Sequence, residues 1–287
     1  MRLRSTLVVP GNRPERIAKA PGYGPDVLLL DLEDSVPPAE HASARGHIAR
    51  YLDSGPPLPV LVRPVSVRRS EFDDDLEAVV RPGLFALTLP QVEHPDEVRA
   101  ADARLGRLEA ERGLPARSVR LFPAAESAAA VHGLYDILTA SSRVLGTSFN
   151  GADGGDLCAD LGVTWTLTGE ELLYIRSRVL FTARAAGLSV ILDSVFADLH
   201  DEAGFARDTA FGRRLGYTGR TAVHPRQLPT IHRVYTPSEA EVESARDLLA
   251  AFAEAEAAGQ GAIEHRGKLV DYAMVRRAHR LLEQVAG

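Results

Sequence analysis

Cysteine is almost missing from this chain: Cys158 is the only one in 287 residues, so no intrachain disulfide can form. That usage fits a reducing compartment. Cys158 lies between apolar residues in DLCADLG, which points to a buried, inert thiol. Lysine is nearly missing too, present only as Lys19 and Lys268 beside abundant arginine, and this reads mainly as a composition bias. No apolar stretch approaches the ~20 residues of a membrane span. The N-terminal MRLRSTLVVPGNRPE has neither the apolar length nor the cleavage site of a signal peptide. A cytoplasmic protein with no membrane partner is expected. The net charge of −6, with arginines mixed among acids along the chain, gives no reason to expect a nucleic-acid partner. Internal repeats and low-complexity linkers are absent.

What is present is a regular alternation. Eight apolar, β-rich runs recur: 5–10, 26–34, 59–65, 85–92, 119–127, 142–150, 188–196 and 218–225. Turn residues and a helical pattern follow them. The segment 95–113 has acids early, arginines later and a closing Gly113. The segment 169–187 carries an apolar face through Leu172, Ile175, Val179 and Ala183 and stops at Gly187. Strands alternating with helices imply βαβ units and a parallel sheet. Eight such units in about 235 residues predict an α/β fold of the TIM (β/α)8 barrel type. A doubly wound open sheet is the runner-up, weakened because no G-x-G-x-x-G follows the first strand. After Tyr235 the pattern changes to a long helix (237–261), a short extended turn (262–268) and an amphipathic helix (269–286). Residues 1–235 are therefore expected to form the barrel. Residues 236–287 form a C-terminal helical extension, expected to pack on the barrel rim or on a neighbouring subunit.

Active sites of such barrels lie at the C-terminal ends of the strands. The polar residues expected there are Asp31, Glu33 and Asp34 from strand 2, Arg63 from strand 3 and Gln91 from strand 4. Strand 5 adds Glu126, the loop after strand 6 adds Asp153 and Asp156, strand 7 adds Asp193, and strand 8 adds His224. Asp31 and Glu33 share a face if strand 2 continues, so this end of a buried strand needs a positive charge nearby. Oxygen donors without a Cys/His cluster favour a hard divalent cation, and Glu126 with Asp156 is the pair chosen for Mg2+. Gly151, Gly154 and Gly155 let the backbone approach a ligand closely. Arg63, inside an apolar strand, is either a clamp for a substrate carboxylate or a structural partner of Glu33 or Asp34. His224 is either catalytic or a helix-start histidine bonded to backbone, and Asp193 either faces the mouth or caps a loop. No H-x-x-x-H pairs with a glutamate, which disfavours a zinc hydrolase.

RSTLVVPGNRPER, LLLDLEDSV, VLVRPV, LPQVEHPDEV, FPAAES, DLCADLG, AVHPRQ and GKLVDYAMVRRA together resemble the HpcH/HpaI aldolase–citrate lyase family, in its citrate lyase β-subunit-like branch, over nearly the whole chain. The resemblance implies a (β/α)8 barrel whose C-terminal extension lids a neighbouring protomer, in a homotrimer or homohexamer. It implies Mg2+ on Glu126 and Asp156, a substrate carboxylate on Arg63, and Glu33 positioning Arg63. Asp271, in KLVDYAM, falls where a neighbour's aspartate acts as acid or base. Two departures stand out. The family's Pro-Lys is Pro90-Gln91 here, and its E-T-A-R-G is Glu126-Ser127-Ala128-Ala129-Ala130. Asp153 is a rival to Asp156 as second ligand, since the family usually has a shorter loop before this acid.

The implied activity is Mg-dependent cleavage of a citryl thioester, on coenzyme A or an acyl carrier protein, to oxaloacetate and an acetyl thioester. A citramalyl-CoA or malyl-CoA lyase and a non-catalytic oxo-acid-binding paralogue are the alternatives. Donors for the enolate oxygen are sought in backbone amides of the 151–155 loop, Gly155 included. Arg2, Arg4, Arg13, Arg16 and Lys19 lie on or after strand 1. Arg13 and Arg16 are the candidates for the carrier's phosphates, against an ordinary solvated helix face.

Overall fold

A computed structural model describes residues 3–286. Eight parallel strands close into a barrel in sequence order. They are β1 (Ser5–Pro10), β2 (Val27–Asp31), β3 (Val60–Arg63), β4 (Leu84–Leu89), β5 (Arg120–Ala125), β6 (Gly146–Phe149), β7 (Val190–Asp193) and β8 (Gly219–Ala222). β1 pairs with both β2 and β8, which leaves the barrel without an open edge. The predicted barrel is therefore the observed one.

The aliphatic runs follow from burial on both faces of each strand, as parallel sheets require. Along β2, Leu28 and Leu30 are fully buried, while Leu29 between them lines the barrel interior with Val8 of β1 and Phe122 of β5. Below that layer Leu3, Val27, Leu61 and Ala86 cluster around Leu29 and Phe122 as a packed plug. Emptying it at Phe122 by alanine substitution costs about 3–5 kcal/mol.

Two helices end where the sequence signals place them. The helix Pro95–Glu111 begins at His94, whose ring accepts from the Asp96 amide while Glu97 reaches back, and Gly113 follows with φ +64°. The helix Leu173–Ala185 is followed by Gly187 at φ +79°. The expected apolar face of this second helix is interrupted by a buried arginine, Arg176.

A second compact unit starts at Arg233. It contains the helix Glu239–Ala257, capped by Ser238, and the helix Tyr272–Ala286. Between them the expected extended turn is a hairpin, β9 (Ala262–His265) paired antiparallel with β10 (Lys268–Asp271). Arg266 and Gly267 both have positive φ, the two-residue turn that matches strand twist. The last helix consequently begins at Tyr272 rather than 269. Within this unit His265 bonds Asp247 at 2.8 Å and the Tyr272 hydroxyl donates to Glu256 at 2.9 Å. Among the described residues no helix is long and apolar enough to cross a membrane.

Candidate active site

The C-terminal ends of the strands surround a cleft of about 400 Å3. Its walls are Val8, Leu29, Thr88, Phe122, Ser148, Leu192 and Thr221, one inward residue from each of seven strands. At its rim lie Asp34, Arg63, Glu126, Asn150, Gly154, Gly155, Asp156 and Ser194.

Arg63 ends β3 directly opposite Asp31, which ends β2. Its guanidinium donates twice to the Asp31 carboxylate, from Nε at 2.6 Å and from Nη2 at 2.8 Å. The Glu33 and Ser35 amides and the Ser35 hydroxyl donate to the same carboxylate. Burial alone would raise the Asp31 pKa, but Arg63 and these donors hold it below the usual carboxylate range. Strand 2 does not continue past Asp31, so Glu33 belongs to the following turn rather than to the same strand face. Arg63 Nη1 remains at the rim, 3.1 Å from Glu33 and 3.2 Å from Asp34. The principal structural partner of Arg63 is thus Asp31, which the sequence placed only as one of three acids. Glu33 is less well compensated. Burial, with Asp34, Glu126 and Asp31 as like charges, outweighs Arg63 and pushes its pKa to about 8.

Glu126 follows β5 and is buried. Its two oxygens are held from either side: Oε1 accepts from the Gln91 amide, and Oε2 accepts from Asn150 Nδ2 at 2.8 Å. Burial raises the Glu126 pKa despite those bonds and the charge of Arg63, and Asp156 adds to the rise. Gln91 has φ +53°, a left-handed conformation that costs a non-glycine residue about 1 kcal/mol. Asn150 and this amide were not identified from sequence. Asn150 was legible only as the last residue of the strand-6 run, and a backbone amide leaves no mark in a sequence.

Asp156 opens the short helix Asp156–Leu161 and lines the cleft with Glu126. Asp153 is exposed and is not part of the cleft wall. Among the described residues no three His, Cys, Asp or Glu side chains converge as a metal-ligand set. Two carboxylates are what Mg2+ commonly takes from a protein, leaving its other positions to water and substrate. The charge at the mouth agrees, because Asp31, Glu33, Asp34, Glu126 and Asp156 face one guanidinium. The donor set therefore fits Mg2+.

Other expected residues lie elsewhere. Asp193 does not face the mouth. It is fully buried and turned outward against Arg176, whose Nε donates to it at 3.0 Å. A Cβ at Gly212 would fall 1.9 Å from the Asp193 carboxylate, so the outer helix Glu202–Leu215 is notched to admit it. Strand alternation explains the error: Leu192 and Ser194 point in, and Asp193 between them points out. His224 is the helix-start histidine, its Nδ1 accepting from the Arg226 amide at 3.1 Å. Arg13 and Arg16 are exposed; Arg13 precedes the helix Pro14–Lys19 and Arg16 lies within it, and that helix has only six residues. Arg16 lies close enough to His224 for its charge to lower that pKa, after burial and Arg226. Arg4 precedes β1, at the opposite end of the barrel, and is committed to Asp26 by bonds of 2.9 and 2.7 Å. Arg2 lies outside the described residues. Cys158 is buried, and burial raises its thiol pKa. Gly11 in the PGN turn allows its amide to reach the Asp31 carbonyl, where a Cβ would sit 2.7 Å from that oxygen. Asp271 is in the second unit, where its carboxylate accepts from the Ala273 amide at 2.8 Å.

Comparison with known proteins agrees with this geometry. The chain is 35% identical over 286 residues to the citrate lyase subunit beta of Leuconostoc mesenteroides subsp. cremoris, covering 98% of this chain and 93% of that one. It is 31% identical to the mitochondrial citramalyl-CoA lyase of Mus musculus, covering 97% and 85%. The crystal structure of CitE from Mycobacterium tuberculosis in complex with magnesium, acetoacetate and coenzyme A superposes with a TM-score of 0.79 at 26% identity, covering 99% and 98%. Residues 4–225 match the HpcH/HpaI aldolase/citrate lyase family model, and the chain belongs to that family.

Proposed function

We propose that the protein is a Mg2+-dependent carbon–carbon lyase that cleaves a citryl thioester to oxaloacetate and an acetyl thioester. The observation that carries this reading is the convergence of one guanidinium, Arg63, and two carboxylates, Glu126 and Asp156, on one cleft at the C-terminal mouth of the barrel. Glu126 and Asp156 are the residues that would hold the ion. When bound, Mg2+ supplies Lewis-acid stabilisation of the oxygen that becomes the ketone.

The chain's own groups account for the rest. Arg63, fixed by Asp31, presents Nη1 to the substrate carboxylate and orients the bond to be broken. Glu33, beside that guanidinium, is the carboxylate assigned to take the hydroxyl proton, and its pKa of about 8 predicts that this step gains as pH rises toward that value. As the hydroxyl loses its proton, the carbon–carbon bond breaks and its electron pair passes into the thioester enolate. Amides of the 151–155 loop are the donors assigned to the enolate oxygen; Gly155 lines the cleft, but its own amide donates to the Ala152 carbonyl at 3.0 Å and is not among them. Asp271 of a neighbouring copy is assigned its protonation, which requires a homo-oligomer, a trimer or hexamer. The exposed Arg13 and Arg16 are assigned to the phosphates of coenzyme A or of an acyl carrier protein. A cytoplasmic location is part of this proposal, in keeping with a single, buried cysteine.

A second reading is favoured by the cleft wall. Besides Arg63, its lining side chains are acids, hydroxyls, one amide and apolar groups. A citryl group brings a second carboxylate to that wall, whereas the methyl of a citramalyl group needs no cation. The first test is thermal stability with Mg2+ plus oxaloacetate, against each alone, in wild type and Glu126→Ala. Ligands that bind only the folded state raise its apparent stability. A joint shift lost in the variant supports the site, and no shift with either oxaloacetate or pyruvate sinks the lyase reading. Ratios of kcat/KM for citryl-CoA and citramalyl-CoA then separate the two substrates.

A further inference from the structure

Glu126 is oriented by a backbone amide, and that amide is itself held by a distant side chain. Arg68 follows β3 in the turn before the helix Glu71–Val79. Its Nη2 donates to the Gln91 carbonyl at 2.8 Å and its Nη1 donates to Glu93 at 2.7 Å. Its Nε lies 3.4 Å from Glu97. Glu97 also accepts from the Glu93 and His94 amides and so caps the helix Pro95–Glu111. Arg68 is thereby anchored on the β4 side of the mouth although its own strand is β3.

Gln91 stands between the two neighbouring strands. Its carbonyl faces Arg68 on the β3 side, and its amide faces Glu126 on the β5 side. Its left-handed φ of +53° is the geometry in which both bonds are made. Glutamine has no special tolerance for that conformation, so the surrounding contacts must hold it there. Both contacts are made by main-chain atoms. This arrangement therefore does not depend on which side chain occupies position 91.

We propose that Arg68 is a positioning residue that fixes the Glu126 carboxylate for Mg2+ by holding Gln91 in its left-handed conformation. The inference rests on Glu126 being a metal-binding carboxylate. Outer groups that orient a ligand typically change metal affinity 10–100-fold.

The experiment has two readouts on the full chain, Arg68 being half-exposed and replaceable without opening the core. Amide hydrogen exchange at Gln91 in the metal-free protein reads the conformation, and Mg2+ titration calorimetry reads the consequence. Arg68→Met is expected to speed exchange at Gln91 at least tenfold and to weaken Mg2+ about 10–100-fold. Glu93→Gln removes an ion pair but leaves the bond to the Gln91 carbonyl, and should change Mg2+ affinity less than threefold. Gln91→Gly adopts the left-handed conformation without strain. Added to Arg68→Met, it should recover part of the lost affinity, which a general structural role for Arg68 would not produce. Unchanged exchange in Arg68→Met, with Mg2+ binding still dependent on Glu126, overturns this inference alone. Mg2+ binding that survives Glu126→Gln overturns the metal assignment and this inference with it.

Discussion

Two clusters of arginine and carboxylate are built into the same barrel, and they differ in balance. Behind β7 and β8, Arg176 and Arg220 face Asp193 and Asp208, two charges of each sign. Arg176 donates to both acids, and Arg220 donates to Asp208 and to Thr209. The rings of Phe149, Phe205, Phe211 and Tyr217 close over the two guanidinium groups. At the mouth, one guanidinium meets five carboxylates, and the side open to solvent is the under-compensated one. The first cluster is balanced in charge without a ligand, although Arg220 Nε is buried with no hydrogen-bond partner among the described residues. On the proposed function, the second is completed by a cation and a substrate carboxylate. Buried charge by itself does not mark a functional site in this molecule; the proposed site is distinguished by unbalanced charge facing a cleft.

Breaking each cluster should give opposite signatures. Glu126→Gln is expected to lower kcat/KM for thioester cleavage by about a thousandfold, as loss of several kcal/mol of Lewis-acid stabilisation implies. Its melting temperature should be unchanged or higher, because a buried like charge has been removed. Asp193→Ala should do the reverse, costing about 3–5 kcal/mol by leaving two buried arginines to share the single carboxylate of Asp208. At about 2–4 °C per kcal/mol this is a large fall in melting temperature. The protein that remains folded should keep its kcat. A catalytic collapse in Asp193→Ala at temperatures where it is folded would erase the distinction between the clusters.

The pH dependence of the metal-free chain sharpens the contrast with smaller effects. Glu33 in the folded chain has a pKa of about 8, against an ordinary value of 4.5. Between those values the folded chain retains a proton that the unfolded chain has lost. Stability on this account falls as pH rises from 4.5 to 8, by at most about 1.4 kcal/mol per pH unit. Asp208 has the opposite sign. Burial pushes its pKa up, but Arg220 and Arg176 hold it below the usual range. Its contribution is present above the ordinary carboxylate pKa and is lost as pH falls through the folded value. Urea unfolding of metal-free wild type and Glu33→Gln from pH 4 to 9 checks both limbs. Glu33→Gln should flatten the decline above pH 5 and leave the acid limb intact; an unaltered decline would remove Glu33 as its source. The smallest effect is expected at His224, where asparagine can also accept at a helix start. His224→Asn should change activity less than about threefold, and a loss of orders of magnitude would make it a chemical group after all.

The barrel was legible because its signals are local and repeated. Strands such as β2 and β3 are short aliphatic runs, and helices such as Pro95–Glu111 and Leu173–Ala185 stop near a glycine that needs no distant partner. Glu126 and Arg63 stood out because a charged residue at the end of an apolar strand has few explanations. Asp193 misled for the same reason: the strand-end rule says where a residue lies along the barrel but not whether it points in or out. That direction depended on Leu192 and Ser194 filling the inward positions, and on the notch at Gly212 in a helix far along the chain. The hairpin Ala262–Asp271 was read as a turn because its paired positions, such as Ile263 with Val270, form a sheet of only two short strands.

The sequence by itself determined the order of elements, the closure into eight units and the acids and arginine at the mouth. These depend on periodicity, capping and the cost of burying charge, all of which act within a few residues. Only the tertiary structure decided which acid each arginine serves, that Asp31 rather than Glu33 fixes Arg63, and that Glu126 is held by the Gln91 amide and Asn150. Those pairings join strands 24 to 35 residues apart. Their energies depend on distances and burial that arise only when the barrel closes.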